Sequence, residues 1–362
     1  MKLPKLDDLV DEQMLVYEHD PDENLFVAGP PGSGKTSLAV LRAKFLKELG
    51  KRVLVVTRNK MLAALTAQLD GEGLESYTMN AFVGRAYHGL THQNLPQFYP
   101  FVYDWNTIIE VFAAAGAAPQ LDHLIVDEGQ NLPAEFFHWA VRFGAKNLTV
   151  FADEDQTTDS QRASLRDICR AGMPKPKRLM ANHRNTAEIA AVAEHFHRSR
   201  ILPPGVVQRG RGGELPRLVR SQTWDELVTL IATRRQNRAE AIGVIVFRRD
   251  DVLEVRDKLR MMLPEGTRID AYINGGTGAP EDIRLLEPGI TVLSSESVIG
   301  LEFHVVYLQD LHRSLPCGSR EDYRRMYMLC ARARNYLTLV DGPDALNNNQ
   351  LADLPGPALL AR

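Results

Sequence analysis

Hydrophobic residues along this chain alternate between two spacings. Short apolar runs typical of buried strands are followed by segments whose apolar residues recur at helical spacing. Such alternation is typical of parallel α/β sheets, because each crossover helix covers one face of the sheet. In the first half, strands are predicted near 24–28, 52–57, 74–78, 121–127 and 147–152. This half is therefore predicted to be one doubly wound domain.

The second half repeats the alternation after residues 171–178, a basic segment with two prolines that we interpret as a connector. Strands are predicted near 177–181, 216–220, 241–247, 267–271, 289–293, 303–308 and 336–340, with helices near 185–198, 223–237, 250–262 and 319–333. Residues 202–213 are predicted to form a surface loop, and the end of the chain a poorly ordered tail. The predicted domains are 1–174 and 175–343, followed by a tail at 344–362.

The most specific chemical signal is GPPGSGKT, which lies between the first predicted strand and a helix. Glycines let successive backbone N–H groups curl around a phosphate, and the helix terminus adds partial positive charge. In such a loop the lysine reaches the β- and γ-phosphates and the hydroxyl residue binds Mg²⁺. The alternative is a plain Gly/Pro turn, which the strand before it and the helix after it disfavour. The predicted loop comprises Gly29, Pro30, Pro31, Gly32, Ser33, Gly34, Lys35, Thr36 and Ser37.

A second signal is LIVDEGQ, a buried strand that ends in two adjacent carboxylates. In a phosphate-loop ATPase an Asp at such a strand end binds Mg²⁺, and a neighbouring Glu takes a proton from the attacking water. Asp127 and Glu128 fit these two roles, although they would also fit as caps of a helix starting near Pro133. A third strand, LTVFADEDQ, ends near Gln156, which we expect to sense the γ-phosphate.

Two arginines in the second half are candidates for a role in phosphoryl transfer. Negative charge develops on the equatorial oxygens, so a competent site often imports arginine from outside the loop. Arg184 lies just before a predicted helix, and Arg332 lies on a predicted helix that leads into an apolar strand. Position alone gives most arginines only a solvated surface role.

Composition narrows the class of protein without naming a function. The 362 residues carry a net charge of −3 and three cysteines without a CxxC pair, so neither a disulfide framework nor a zinc site is indicated. Charges occupy the place where a signal peptide has its apolar run, and no window has the apolar length of a membrane span. We expect a cytoplasmic protein with no membrane partner.

The order of these signals resembles the motif order of the UvrD/Rep-type superfamily 1 helicases. VDEQMLVYEHD resembles the Q motif, GPPGSGKT motif I, VLVVTRNKMLAAL motif Ia, YTMNAFVGRAY motif Ib, LIVDEGQ motif II and FADEDQ motif III. In the second half, LMANHRNTAEIAAVAEHF resembles motif IV, VLSSESVIGLEFHVVYL motif V and YMLCARARNYLTLV motif VI. The match spans residues from about 10 to 340.

The resemblance implies two tandem RecA-like P-loop NTPase domains with ATP and Mg²⁺ in the cleft between them. It implies that Gln13 bonds adenine, that His183 stacks on it and that Glu302 bonds the ribose. Gly300 would lie near the γ-phosphate, and Arg184 and Arg332 would be arginine fingers. Expected contacts to single-stranded DNA or RNA are Arg58, Asn59, Lys60, Asn80 and Arg85.

Departures from the family pattern concern nucleic-acid contacts. About 35 residues separate Arg85 from Leu121, too few for the insertion that family helicases carry there. The aromatic of motif Ia is replaced by Thr57 or Arg58, a lysine of motif V by Ile299 and a threonine of motif VI by Ala331. Aromatic residues remain in this segment that either stack on bases or belong to the core: Tyr87, Phe98, Tyr99, Phe101, Tyr103 and Trp105.

Two functions are compatible with these observations. The first is an ATP-hydrolysing motor on single-stranded nucleic acid, DNA more than RNA, weak at unwinding unless a protein partner supplies the missing parts. The second is an ATP-driven switch or assembly subunit that regulates a partner protein without translocation.

Overall fold

A computed structural model describes residues 3–71, 73–153, 162–197, 206–208, 213–273 and 279–362. The chain forms two compact units. The first unit contains residues 3–29 and 34–179, and the second contains residues 30–33 and 180–362. The first unit ends at residue 179, five residues after the predicted boundary, because residues 177 and 178 pair with the first sheet.

The first unit is an α/β layer structure around one parallel sheet. Its strands are β1 (Leu25–Ala28), β2 (Val53–Thr57), β3 (Ser76–Thr78), β4 (Gln97–Tyr99), β5 (Val102–Tyr103), β6 (Leu121–Val126), β7 (Ala145–Ala152) and β8 (Lys177–Arg178). Its helices are α1 (Asp11–Tyr17), α2 (Lys35–Glu48), α3 (Lys60–Asp70), α4 (Met79–Thr91), α5 (Trp105–Ala114), α6 (Ala134–Trp139) and α7 (Leu165–Arg170). A π-helical turn, Ala140–Gly144, extends α6.

The first sheet has six parallel strands in the order β3-β2-β6-β7-β1-β8. Strand β1 is buried along its length, and β6 and β7 are buried over their last four and five residues, as expected where helices cover both faces. Strand β7 lies between β1 and β6, so the strand that ends at Asp127 is one strand removed from the phosphate loop. Parallel strands end at one edge, and the ends of β1, β7 and β6 therefore lie side by side.

Residues 177–181 were predicted to form a strand of the second domain, but β8 belongs to the first sheet. Lys177 and Arg178 pair with Val27 and Ala28 of β1, which keeps the connector in the first unit. Basic composition and prolines indicated a boundary, but sheet pairing depends on a partner strand about 150 residues earlier, which local sequence does not reveal.

The second unit is also α/β. Its strands are β9 (Ala181–Asn182), β10 (Val206–Val207), β11 (Arg217–Arg220), β12 (Ala241–Val246), β13 (Ile269–Tyr272), β14 (Gly289–Ser294), β15 (Phe303–Leu308) and β16 (Ala333–Asp341). Its helices are α8 (Ala187–His195), α9 (Trp224–Asn237), α10 (Arg249–Met262), α11 (Arg320–Cys330) and α12 (Asn348–Ala352). The six-stranded parallel sheet has the order β11-β16-β15-β12-β14-β13.

Of the predicted surface loop 202–213 the structure describes residues 206–208 and 213, where Val206 and Val207 pair in parallel with β9 and Val206 is exposed. The prediction for the end of the chain was wrong. The predicted poorly ordered tail packs on the unit, because Leu354 and Leu360 are buried and the backbone of Ala361 bonds to Pro216 and Leu218. The apolar residues of this segment are spaced among prolines and asparagines, and the surface on which they pack exists only in the folded chain, so the sequence pattern did not indicate it. No helix in the described part of the chain is long and apolar enough to cross a membrane.

Candidate functional site

The phosphate-loop sequence forms a tight turn between β1 and α2. Gly32 and Gly34 have φ angles of 83° and 88°, a left-handed conformation that favours glycine. Gly34 is the residue before the helix, so Lys35, Thr36 and Ser37 form the first turn of α2, where backbone N–H groups lack helical acceptors. The conformation is the one that a phosphate-binding loop requires.

Lys35 is buried and held at the end of the sheet. Its Nζ donates to the carbonyl oxygen of Gly29 at 2.6 Å and lies 3.6 Å from Oδ2 of Asp153. Asp153 follows β7 directly and is fully buried. Sequence reasoning did not single out Asp153, although its position after an apolar strand was a usable signal. Asp153 balances the lysine charge from the neighbouring strand end.

Asp127 carries a buried oxygen without a hydrogen-bond partner. Its Oδ1 accepts from the backbone N–H of Glu128 at 3.0 Å, whereas Oδ2 has no partner among the described residues. Burial and then the Glu128 charge raise the pKa of Asp127, while the Thr36 hydroxyl and Lys35 oppose this shift. An orphaned carboxylate oxygen near a buried hydroxyl fits Mg²⁺, which takes few protein ligands when substrate phosphates supply others.

Glu128 has a φ of 56°, rare for a residue with a side chain. Its Oε2 accepts from the amides of Gln130 at 2.5 Å and Asn131 at 3.5 Å, and Gln130 Oε1 accepts from the backbone N–H of Asp153 at 2.9 Å. The two amides were missed in the sequence. Gln130 thereby connects Glu128, which follows β6, to Asp153, which follows β7.

The helix-capping alternative for these carboxylates is wrong. Helix α6 begins at Ala134, and Pro133 stands before it without a side-chain cap among the described residues. The carboxylates of Asp127 and Glu128 instead accept hydrogen bonds from Glu128 and Gln130, within the turn that follows β6. No group of three His, Cys, Asp or Glu side chains able to hold a metal ion occurs in the described ranges.

The residues predicted to contact nucleic acid differ in their exposure and in what their side chains bond to. Asn59 caps α3 by accepting from the backbone N–H of Leu62 at 2.8 Å, which is a structural role. Arg58 donates to Oδ1 of Asn131 at 3.4 Å and so contacts the amide beside Glu128. Lys60 is exposed and Asn80 is half-buried in the first turn of α4.

Arg85 is exposed on α4, with its guanidinium carbon 4.0 Å from the centre of the Tyr77 ring. The stacking fixes the direction of the side chain without neutralising its charge. Arg85 therefore presents a positive group on the surface of the first unit.

Gln13 of α1 lies against the phosphate loop. A Cβ atom placed on Gly34 would be 3.0 Å from Gln13 Nε2, so the glycine leaves room for this amide. The helix that carries Gln13 is held by Arg42 of α2, which donates to the carbonyl oxygens of Tyr17 and His19 at 3.0 and 2.8 Å. Sequence reasoning missed Arg42 because an arginine within a helix is usually a surface residue.

In the second unit, His183 and Arg184 lie in a turn after β9. The backbone N–H of His183 donates to the carbonyl oxygen of Gly32 at 2.9 Å. A Cβ atom on Gly32 would overlap the side chain of Asn182, so close packing as well as the positive φ requires glycine here.

Glu302 joins two arginines. Its carboxylate forms a short ion pair with Arg184 and lies 3.4 Å from Nη1 of Arg334. Burial would raise the pKa of Glu302, but Arg184 and Arg334 outweigh it and lower the pKa. The residue expected to bond ribose is therefore engaged by arginine. Gly300, two residues before it, has a φ of 81°.

Arg332 was predicted to lie on a helix, but it follows the end of α11 and precedes β16, and it is almost fully buried. Its Nε donates to the carbonyl oxygen of Met328 at 2.9 Å and its Nη1 to that of Leu301 at 3.2 Å. Ile299 and Ala331, two departures from the family pattern, are buried in the same unit. Gln156 lies outside the described residues.

The aromatic residues of the segment from α4 to α5 fall into two groups, one buried and one exposed. Tyr87 and Trp105 belong to the core, and Tyr103 packs on Trp105 with ring centroids 6.2 Å apart. For these residues the core interpretation is confirmed. In contrast, β4 and β5 form an antiparallel hairpin on which three aromatic side chains are exposed: Phe98 by 66%, Tyr99 by 72% and Phe101 by 78%.

Comparison with known families agrees with this geometry. Residues 13–161 match the AAA domain family. This family is found in UvrD/Rep-like superfamily 1 helicases. The matched residues include the phosphate loop and the Asp127-Glu128 pair, so the predicted resemblance is confirmed for this part of the chain. The predicted fold class of parallel-sheet RecA-like domains is also confirmed.

Two solved structures are similar to the chain. One is the C-terminal domain of a possible DNA helicase from Lactobacillus plantarum WCFS1, with 20% identity and a TM-score of 0.36 over 50% of this chain and 98% of that domain. The other is the helicase of PRRSV, with 14% identity and a TM-score of 0.45 over 95% of this chain. The chain spans 57% of that helicase. No curated protein matches the sequence.

Proposed function

We propose that this protein is an ATP-hydrolysing, helicase-like motor that acts on single-stranded nucleic acid, DNA more than RNA. One observation carries the hydrolytic part. The ends of β1, β7 and β6 bring together Lys35, Asp153 and the Asp127-Glu128 pair in an AAA domain. Ligands of parallel α/β sheets bind at this edge.

In this proposal Lys35 exchanges its bond to Gly29 for the β- and γ-phosphates, and the N–H groups around Gly34 bind phosphate oxygens. Glu128 takes the proton of the attacking water, since Gln130 fixes the direction of its carboxylate. Thr36 and Asp127 would hold Mg²⁺, which neutralises phosphate charge when bound. Gln13 and His183 are proposed to bind the base, Glu302 the ribose, and Arg184 and Arg332 the transferred phosphoryl group.

The exposed hairpin supports nucleic acid as the partner of this AAA protein. No Asp or Glu occurs between Glu75 and Asp104, whereas the whole chain has 46 acidic residues. Within this segment Arg85 is exposed on α4, and Leu95 packs beside Gly84 just before the hairpin. A surface with exposed aromatics and without negative charge suits a polyanion whose bases stack.

The decisive test measures ATP turnover of the full chain with and without single-stranded DNA or RNA at low salt. We expect stimulation by DNA that declines as salt rises, because counterion release drives such binding. Lys35→Ala serves as the control and should lose nucleotide binding. Turnover that neither nucleic acid changes would contradict the motor function.

Glu128→Gln tests the proposed base. Turnover should fall by about 10²–10⁴-fold, because an amide cannot accept the proton. Binding of a fluorescent ATP analogue should persist, since the backbone and Lys35 remain. Wild-type turnover in Glu128→Gln would show that another group is the base.

The double variant Phe98→Ala/Phe101→Ala tests the hairpin. Each lost base stack should weaken binding of a single-stranded oligonucleotide by about 1–3 kcal/mol. ATP turnover without nucleic acid should be unchanged. The control is Met261→Ala, an equally exposed apolar residue in the second unit, 79% exposed. Equal oligonucleotide affinity in all three proteins would remove the hairpin from the binding surface.

An ATP-driven switch without translocation is the second candidate. The observation that favours it is that residues 79–114 form α4, a small hairpin and α5 where family helicases carry a larger insertion. Movement along a labelled single strand, measured by the arrival of the chain at its end, distinguishes the two. ATP turnover stimulated by DNA without such movement would favour the switch.

A further inference from the structure

Asn185 lies one residue after Arg184 and is buried. Its side-chain Nδ2 donates to two carbonyl oxygens, that of Ala331 at 3.1 Å and that of Ala333 at 2.5 Å. These are the carbonyls on either side of Arg332. One amide group therefore holds the backbone that carries the second candidate arginine.

The same amide closes the turn that carries the first candidate arginine. Asn185 Oδ1 accepts from Asn182 Nδ2 at 2.9 Å, and Asn182 Oδ1 accepts from the backbone N–H of Arg184 at 3.0 Å. The backbone N–H of Asn185 also donates to Asn182 Oδ1, at 3.2 Å. The two asparagines form one closed set of hydrogen bonds around Arg184.

The backbone of Arg332 is held from a second direction. Its own carbonyl oxygen accepts from the N–H of Phe303 in β15 at 3.0 Å, while its two neighbours bond to Asn185. Beyond the turn, the N–H of Thr186 donates to the carbonyl of Arg334 at 3.2 Å. The segment 185–186 therefore runs along the start of β16, and its hydrogen bonds fix the backbone positions of Arg184 and Arg332.

We infer that Asn185 is a positioning residue that sets Arg184 and Arg332 in one fixed arrangement for phosphoryl transfer. The inference rests on the proposed ATP hydrolysis. Only an amide supplies two donors and one acceptor at this point. Alanine removes all three bonds, whereas serine keeps one hydroxyl. A displacement of about 1 Å at a reacting group can lower a rate about 10²-fold.

Gln350 offers a matched control in the same unit. It is also buried, and its Nε2 donates to two carbonyl oxygens, His312 at 2.9 Å and Leu315 at 2.7 Å. Gln350→Ala thus removes a similar amide bridge whose carbonyl partners lie outside the segments that carry Arg184 and Arg332. The experiment compares Asn185→Ala, Asn185→Ser and Gln350→Ala for thermal stability, affinity for a non-hydrolysable ATP analogue and kcat with ATP.

We expect similar losses of thermal stability in the two alanine variants. Asn185→Ala should lower kcat by about 10–100-fold with unchanged analogue affinity, Asn185→Ser should lower it less, and Gln350→Ala should leave it unchanged. In an Arg184→Ala/Arg332→Ala background, Asn185→Ala should add little, because residues that act as a unit are not additive.

Equal kcat in Asn185→Ala and Gln350→Ala would overturn the inference, and so would a full additional loss in the Arg184→Ala/Arg332→Ala background. If Asn185→Ala does not fold, Asn185→Ser decides by the same criteria. Wild-type protein without ATP turnover would overturn the proposed function itself, a result distinct from either of these.

Discussion

Two arginines are buried almost completely, one in each unit, and they differ in what they hold. Arg42 of the first unit and Arg332 of the second are 0% and 1% exposed. Arg42 lies inside α2 and donates to Thr149 and to carbonyl oxygens of residues 16–20. Arg332 lies where α11 gives way to β16 and bonds to Met328 and Leu301 beside Glu302.

Burial by itself therefore does not identify a functional arginine. Arg42 links the residues that follow α1 to Thr149 of β7, which is distant from α2 in sequence. Burial lowers the pKa of Arg42 to about 10. Arg332 lies just before β16, and its segment contacts Met328, Leu301 and Asn185, which belong to the three segments that resemble motifs VI, V and IV. We propose that the surrounding segments, and not the charge or its burial, separate the structural role of Arg42 from the proposed role of Arg332 in phosphoryl transfer.

Replacing Arg332 by Ala should give the largest effect. If Arg332 acts on the transferred phosphoryl group, kcat should fall by about 10³–10⁵-fold while affinity for a non-hydrolysable analogue is retained. Single-turnover ATP hydrolysis measures this. Arg320→Ala, an exposed arginine of α11, is the control. A loss matched by Arg320→Ala would place Arg332 with Arg42 among the structural residues.

Replacing Arg42 by Met should act on folding. Several buried oxygens would lose their donor, and each can cost about 1–3 kcal/mol, so the free energy of unfolding should fall by roughly 3 kcal/mol or more. Urea unfolding measures it, with Lys47→Met on the exposed side of α2 as the control. We expect kcat of the folded fraction to stay near wild type. A selective loss of kcat without loss of stability would erase the contrast with Arg332.

His123 gives the smallest predicted effect, as a pH dependence of the first unit. Its Nδ1 bonds to the Pro21 carbonyl and its Nε2 to the Thr149 hydroxyl, which also accepts from Arg42. Burial and then the Arg42 charge lower the pKa of His123 from 6.5 to about 4. The folded protein therefore binds this proton less readily than the unfolded chain.

Stability from His123 should be fully present above pH 6.5 and should be lost as the pH falls toward 4, by about 3 kcal/mol in all. Urea unfolding at several pH values measures the slope, which should be shallower in His123→Gln than in wild type. His88→Gln, an exposed histidine of α4, should keep the wild-type slope. Equal slopes in all three proteins would contradict the neutral, buried His123.

Much of the candidate site could be predicted because its signals are local. GPPGSGKT specifies its own turn, since glycine alone adopts the required φ angles at low cost. An apolar strand that ends at Asp127-Glu128 places both carboxylates at a sheet edge. Exposure of Phe98 and burial of Trp105 could not be predicted, because both lie in similar apolar surroundings in sequence.

The sequence by itself determined the alternation of strands and helices, the phosphate loop and the series of motifs, since each depends on residues within a few turns of one another. Tertiary structure alone decided that β7 lies between β1 and β6, that Asp153 meets Lys35, and that Asn185 bridges the carbonyls around Arg332. The pairing of β1 with β7 and the contacts of Lys35 and Asn185 join residues more than 100 positions apart. Their partners are selected by sheet order and burial, which periodicity along the chain does not encode.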